Sequence, residues 1–240
     1  MQTFTFLANT EELFKSQFEQ REWCDRKQYL IQLFSAQSQD VARRIASVAL
    51  KHLNHSILIG QSARHVICDN CLESACTLVI ISEFDETHLT SAVQPFTGNP
   101  NHDSQALVAQ LSLSKDTKTV ISLCDQVEGR DYPIYGAFEN LPYTLPVAGG
   151  LCHENDFGRW VMHNEETYQH ACVAVALTNP RLKVWSDAYS EWNPIGMKLR
   201  VTQAEGNRLY ALNDKPAIDV FKHYLADGKD LPFSQLMSFP

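Results

Sequence analysis

The sequence predicts an α/β fold in which a strand-helix-strand unit occurs twice, giving mixed sheets covered by helices and related by a pseudo-two-fold. Three observations carry this. The apolar run Tyr29-Leu30-Ile31-Gln32-Leu33-Phe34 returns about ninety residues later as Thr119-Val120-Ile121-Ser122-Leu123-Cys124. Each run leads through a helical stretch to a short apolar segment ending in glycine, Ile57-Leu58-Ile59-Gly60 and Leu145-Pro146-Val147-Ala148-Gly149. A polar loop and a third run follow each glycine, Ala75-Cys76-Thr77-Leu78-Val79-Ile80-Ile81 and Ala171-Cys172-Val173-Ala174-Val175-Ala176-Leu177. Short apolar runs bounded by turn residues read as strands buried on both faces.

The remaining elements fall between these runs. Thr10 is placed to cap a helix bearing Leu13, Phe14 and Phe18 on one face, so residues 1–27 read as a helical segment. Ser38 or Asp40 opens the next helix, with Val41, Ile45, Val48, Ala49 and His52 at helical spacing and His52 on the buried side. Ser91 to Phe96 reads as a strand and Thr97 to Asn101 as a loop, with Asp103 or Ser104 capping a helix that buries Leu107, Val108 and Leu111. Pro133 suits a first helical turn before Ile134, Ala137, Phe138 and Leu141. Alternation from Leu182 to Ala188 predicts a half-exposed strand, and Lys198 to Thr202 with Arg208 to Leu212 a hairpin about Glu205-Gly206-Asn207. A last helix is expected from Asp214 or Pro216, burying Ala217, Val220, Phe221, Tyr224 and Leu225.

Composition narrows the function. With 240 residues and 44% hydrophobic content, the chain can bury a substantial core. Twenty Lys and Arg against 28 Asp and Glu leave a net charge of −8, and without a clustered basic patch this disfavours a grip on nucleic acid or anionic lipid. Met1 to Thr10 lacks the features of a signal peptide and no apolar run approaches a membrane span, so a cytoplasmic setting is expected. Seven cysteines, an odd number, are expected to be free thiols of a reducing compartment.

Chemistry is expected after the two glycines. Backbone N–H groups near glycine can approach a ligand closely, and the loops after Gly60 and Gly149 are expected to face one cleft. Ser62, Ala63, Arg64 and His65 follow the first glycine, and the hydroxyl and guanidinium suit a carboxylate or other anion. Gly149, Gly150, Cys152 and His153 are the matching group, and Trp192, after Tyr189, suits the wall of an apolar pocket or the bracing of the turn at Pro194. The series His65, Cys68, Cys71, Cys76 contains zinc-type ligands at a spacing that matches no common zinc module, so ordinary thiols are expected. Cys152 and Cys68 stand as alternative thiol nucleophiles, and nine histidines leave the axial ligand of any haem unassigned.

Several segments together resemble the FIST family of sensory domains. They are Gly60-Gln61-Ser62-Ala63, Val147-Ala148-Gly149-Gly150, Trp192-Asn193-Pro194-Ile195-Gly196, Val201-Thr202-Gln203-Ala204 with Gly206-Asn207, and Leu212-Asn213-Asp214-Lys215-Pro216-Ala217. The chain departs from the family pattern at Arg64-His65, where Gly-Glu often stands. The resemblance implies two halves of an N-terminal sensor domain, residues 28–114 and 115–213, with residues 214–240 beginning a C-terminal FIST module. It implies a cytoplasmic input domain of a bacterial signal-transduction protein. Such a domain binds a small metabolite such as an amino acid and regulates an output such as a diguanylate cyclase, histidine kinase or chemotaxis receptor. On this reading the chain is not an enzyme and needs no cofactor. A haem-binding nitric oxide sensor and a scaffold that binds only protein remain open, as does a homodimer.

Overall fold

The computed structural model describes residues 1–125, 132–187, 196–205 and 208–226. By contacts they divide into two compact units, one ending at residue 186 and one beginning at 187.

The first unit contains two sheets of matching topology. Its first copy runs β1 (Gln2–Ala8), α1 (Glu11–Phe18), β2 (Gln28–Ser35), α2 (Gln39–His52), β3 (Ser56–Ser62), the hairpin β4 (Val66–Cys68) and β5 (Cys71–Glu73), and β6 (Thr77–Phe84). The second runs β7 (His88–Pro95), α3 (Pro100–Leu111), β8 (Thr117–Cys124), a short 3-10 helix (Gly136–Asn140), β9 (Val147–Leu151), the hairpin β10 (Val161–His163) and β11 (Glu166–Tyr168), and β12 (Ala171–Thr178). The sheets are ordered β1-β6-β2-β3-β10-β11 and β7-β12-β8-β9. In each, a parallel pair (β2/β3, β8/β9) is followed outward by two antiparallel strands. The duplication is therefore real and larger than its sequence trace. Residues 1–27 hold a strand as well as a helix and complete the first copy, while β7 and α3 belong to the second sheet and not to the half ending at 114.

Side-chain alternation explains the layering. Tyr29, Ile31 and Leu33 of β2 pack with Phe14, Phe18, Ile45 and Ala49 of α1 and α2. Leu30, between them, joins the core that also holds Leu123, Val173, Val175 and Leu177 of the second sheet. On the outer face of that sheet, Val120, Ala174 and Ala176 pack with Leu107 and Leu111 of α3 and with Phe138. The order of layers is helix, sheet, sheet, helix, so helices cover one face of each sheet and the other sheet covers the second face.

Local chemistry sets the helix ends. The Thr10 and Ser38 hydroxyls accept from the N–H groups of Leu13 and Val41, as expected of N-caps. For α3 the cap is Asn99, whose Oδ1 accepts from His102 N–H at 3.2 Å, with Pro100 in the first turn, and not Asp103 or Ser104. His52, expected to be buried, is exposed; its ring meets Phe18 edge-on and its Nδ1 lies 2.8 Å from Val48 O. Residues 182–187 form no strand.

In the second unit β13 (Val201–Glu205), β14 (Arg208–Leu212) and β15 (Lys215–Pro216) form a small antiparallel sheet before α4 (Ala217–Ala226). Gly206-Asn207, the expected turn, lies outside the described residues. Asn213 and Asp214 both take left-handed φ, 47° and 60°, in the turn between β14 and β15. Asp214 thus turns a hairpin instead of starting the helix, its N–H held by Thr202 Oγ1 at 2.9 Å. At Gly196 (φ 76°) any Cβ would collide with the Tyr224 ring.

Asp103 is fully buried, and its carboxylate accepts from Thr97 N–H at 2.7 Å, Thr97 hydroxyl at 2.8 Å, Gln94 Nε2 at 3.2 Å and the Tyr132 hydroxyl. Burial alone raises its pKa, but hydrogen bonds from Tyr132, Thr97 and His102 outweigh it and hold the group at about 2, below the ordinary 3.8. A depressed pKa means that the unfolded state binds the proton more tightly. The stabilisation is therefore complete above pH 3.8 and is lost as pH falls towards about 2. Asp103→Asn is expected to cost about 2 kcal/mol at neutral pH and to flatten the acid limb of stability, measured by urea unfolding across that window.

Candidate ligand site at the strand ends

The two parallel pairs end close together. At these ends Ala63 N–H donates to Ser35 O at 2.8 Å, and Cys152 N–H donates to Cys124 O at 2.7 Å. That equivalence makes Ser62 the counterpart of Leu151, and Gly60 the counterpart of Gly149. Both glycines serve close approach of adjacent strands. A Cβ on Gly60 would lie 2.8 Å from Leu33 O, and one on Gly149 (φ 149°) would overlap Ser122 O. Gly150 is exposed with open space beside it.

Ser62 joins the copies. Its N–H donates to Trp160 O at 2.9 Å and its C=O accepts from His153 N–H at 3.1 Å. Its hydroxyl donates to His153 O at 2.9 Å and accepts from Trp160 N–H at 3.1 Å. The residue is 0% exposed, whereas Leu151 is 59% exposed, because β10 covers β3 while the outer edge of β9 carries no strand among the described residues.

The connection 152–160 is tied down along its length. Asn155 Nδ2 donates to the carbonyls of Ser35 and Gln37, both at 3.2 Å. The Cys152 thiol donates to Asp125 Oδ1 at 3.3 Å, and Arg159 Nε lies 3.7 Å from the same oxygen. Asp125 is buried and its Oδ2 accepts from His170 N–H at 2.7 Å. A paired, hydrogen-bonded carboxylate is how a charge is kept in such a place.

The residues singled out in the sequence therefore separate. The structure brings Ser62 against His153 through hydrogen bonds. Ser62 and Cys152 point their polar groups into protein contacts, while Arg64, His65 and His153 are exposed and Ala63 is half-buried. Trp192 and Tyr189 lie outside the described residues. Cys152 and His153 make no nucleophile-base pair, since the thiol faces Asp125 and His153 Nδ1 lies 2.9 Å from Glu154 O. The Cys68 thiol is pushed up by burial and by Asp69 and Glu73, which disfavours the thiolate.

Among the described residues no three His, Cys, Asp or Glu gather to hold a metal. A described pocket of about 490 Å³ lies between the 3-10 helix and β9, lined by Tyr135, Phe138, Glu139, Tyr143, Leu145 and neighbours. Its lining contains no histidine or cysteine.

Sequence reasoning missed Asp125, Arg159 and Trp160, whose partners are distant in the chain, and it missed Gln61. Gln61 Oε1 and Trp160 Nε1 are buried without a hydrogen-bond partner among the described residues. An unpaired buried polar atom is costly, which makes both groups unusual positions of this strand end.

No helix among the described residues is long and apolar enough to cross a membrane. No curated protein matches the chain. The FIST N domain family matches residues 29–215, which is most of it.

Two substitutions test the seam. Ser62→Ala is expected to lower stability by about 2 kcal/mol through its stranded partners, and Leu151→Ala by less than about 0.5 kcal/mol, read from urea midpoints.

Proposed function

From the premise that this chain belongs to the FIST family, whose domains are sensory modules, we propose that it is the input domain of a cytoplasmic bacterial signalling protein. Its ligand is a small metabolite carrying a carboxylate and an ammonium group, as an amino acid does. The observation that carries this reading is the strand end of β3, where the buried, unpaired acceptor of Gln61 stands three residues before the exposed guanidinium of Arg64. Arg64 binds the carboxylate as a fork, and Gln61 Oε1 accepts from the ammonium. We assign the exposed residues His65, His153 and Gly150 to the approach.

The seam also supports a route for the signal. A ligand at Gln61 and Arg64 biases the connection 152–160, because Ser62 between them holds both of its ends. It can do so only by binding one arrangement of that connection more tightly than another. The output, a diguanylate cyclase or similar module reached through a C-terminal FIST module, reads that bias.

Thermal unfolding of the chain against a panel of amino acids tests the assignment. Saturating ligand, at about 100 times Kd, is expected to add about 2.7 kcal/mol of stability. Arg64→Ala and Gln61→Leu, each folded without ligand, are expected to abolish the shift. No shift with any amino acid, or a shift that survives both substitutions, removes these residues from the site.

A further inference from the structure

The cross-strand positions 35 and 77 of the first copy correspond to 124 and 172 of the second. Ser35 and Thr77 are register partners on β2 and β6 and share a buried hydrogen bond of 2.8 Å between hydroxyls. Cys124 and Cys172 are register partners on β8 and β12, with sulfurs 2.7 Å apart and both thiols free. The copies thus keep one pair of facing polar groups and change its chemistry. Hydroxyls can only hydrogen-bond there, whereas facing thiols can also be joined.

The surroundings favour that joining. Asp125 N–H donates to Ala171 O at 2.8 Å, which leaves Cys124 and Cys172 as the next pair, the closely spaced kind without mutual backbone bonds. Partners of this kind fall within the Cα separation that a disulfide spans. The Tyr135 hydroxyl, on the chain leading into the 3-10 helix, lies 3.0 Å from Cys124 Sγ and donates to Ser122 Oγ at 3.0 Å. Ser122 Oγ is itself 3.1 Å from Cys172 Sγ. The hydrogen bond from Cys172 lowers the Cys124 pKa against the effect of burial, whereas burial raises that of Cys172. Tyr135 also lines the 490 Å³ pocket, which places one wall of a solvent-open cavity next to the sulfurs.

We infer that Cys124 and Cys172 form a modification site, a cross-strand dithiol that a peroxide oxidises to a disulfide. The Cys124 thiolate attacks one peroxide oxygen, the O–O bond breaks, and the departing hydroxide takes up a proton to leave as water, giving a sulfenic acid on Cys124. The Cys172 sulfur then attacks the Cys124 sulfur. The S–S bond forms, the S–O bond breaks, and the hydroxyl leaves as water with the Cys172 proton. Two thiols are oxidised by two electrons and one hydrogen peroxide is reduced to two waters. The bond fixes β8 to β12 and removes the Cys124 S–H beside the Tyr135 hydroxyl, so it alters the wall of the pocket.

Hydrogen peroxide titrated onto the reduced full chain, followed by alkylation, proteolysis and mass spectrometry, tests this. The expected product is a peptide pair joined through Cys124 and Cys172, lighter by two hydrogens, restored by dithiothreitol, and accompanied by a rise in melting temperature. Exposed Cys24 and Cys71 report the general reach of the oxidant. Cys172→Ser, which places in the second copy the type of hydroxyl that the first carries, is expected to leave Cys124 as a sulfenic acid captured by a cyclic dione. The inference is overturned if both thiols remain fully alkylatable at doses that oxidise Cys24. It is overturned equally if the joined peptides link Cys68 to Cys71 or other pairs without Cys124–Cys172. Should Cys172→Ser fail to fold, the peptide map of the unaltered chain still decides.

Discussion

Four hydrogen bonds on Ser62 fix the relation of the two copies. Two go to His153 and two to Trp160, so one small residue at the end of β3 holds both ends of the connection that leaves the second copy. Being fully buried, Ser62 has no water to replace a lost partner, and its hydroxyl must satisfy a donor and an acceptor at once. Serine does this without filling space that Trp160 needs. The placement of β10 beside β3 and the ion pair of Arg159 with Asp125 both go with where that connection is pinned.

The pseudo-symmetry is broken at the same place. Each copy follows its glycine strand with a three-residue, two-residue, three-residue hairpin, β4–β5 or β10–β11. Three residues separate β3 from β4, and the first hairpin stays against its own sheet, with Val66 packed beside Cys76 and Leu78. Nine separate β9 from β10, enough chain to cross to the other sheet and pair with it. This difference in length covers the edge of β3 with β10, whereas the outer edge of β9 carries no strand among the described residues. It also explains why Ser62 is buried and its counterpart Leu151 is not.

Much of this was legible in the sequence. The repeated apolar runs located β2, β3, β6, β8 and β12, because strands buried on both faces leave a continuous signal, and β9, which is largely exposed, was placed by its recurring glycine. Recurrence singles out Gly60 and Gly149 in the sequence, but the carbonyl each faces on the adjoining strand is visible only in the pairing. The first strand, Gln2–Ala8, escaped notice because its Thr-Phe alternation is short and its outer edge is unpaired among the described residues. Ser62 was read as a ligand group since its partners lie 91 and 98 residues away, beyond any local pattern. Asp103 and Asp214 were read as helix starters because carboxylates favour caps in general. In place, one is a buried acceptor and the other occupies a left-handed turn.

Amide hydrogen exchange of the ligand-free chain tests most directly whether the Ser62 clamp organises the strand ends. The amides of Ser62, Cys152, His153 and Trp160 are predicted to exchange together and as slowly as those in the middle of β2 and β8. Exchange of His153 and Trp160 at the rate of an exposed loop, with β2 and β8 still protected, would contradict the account. The connection 152–160 would then be an independent segment, and a ligand at the end of β3 would have nothing to move.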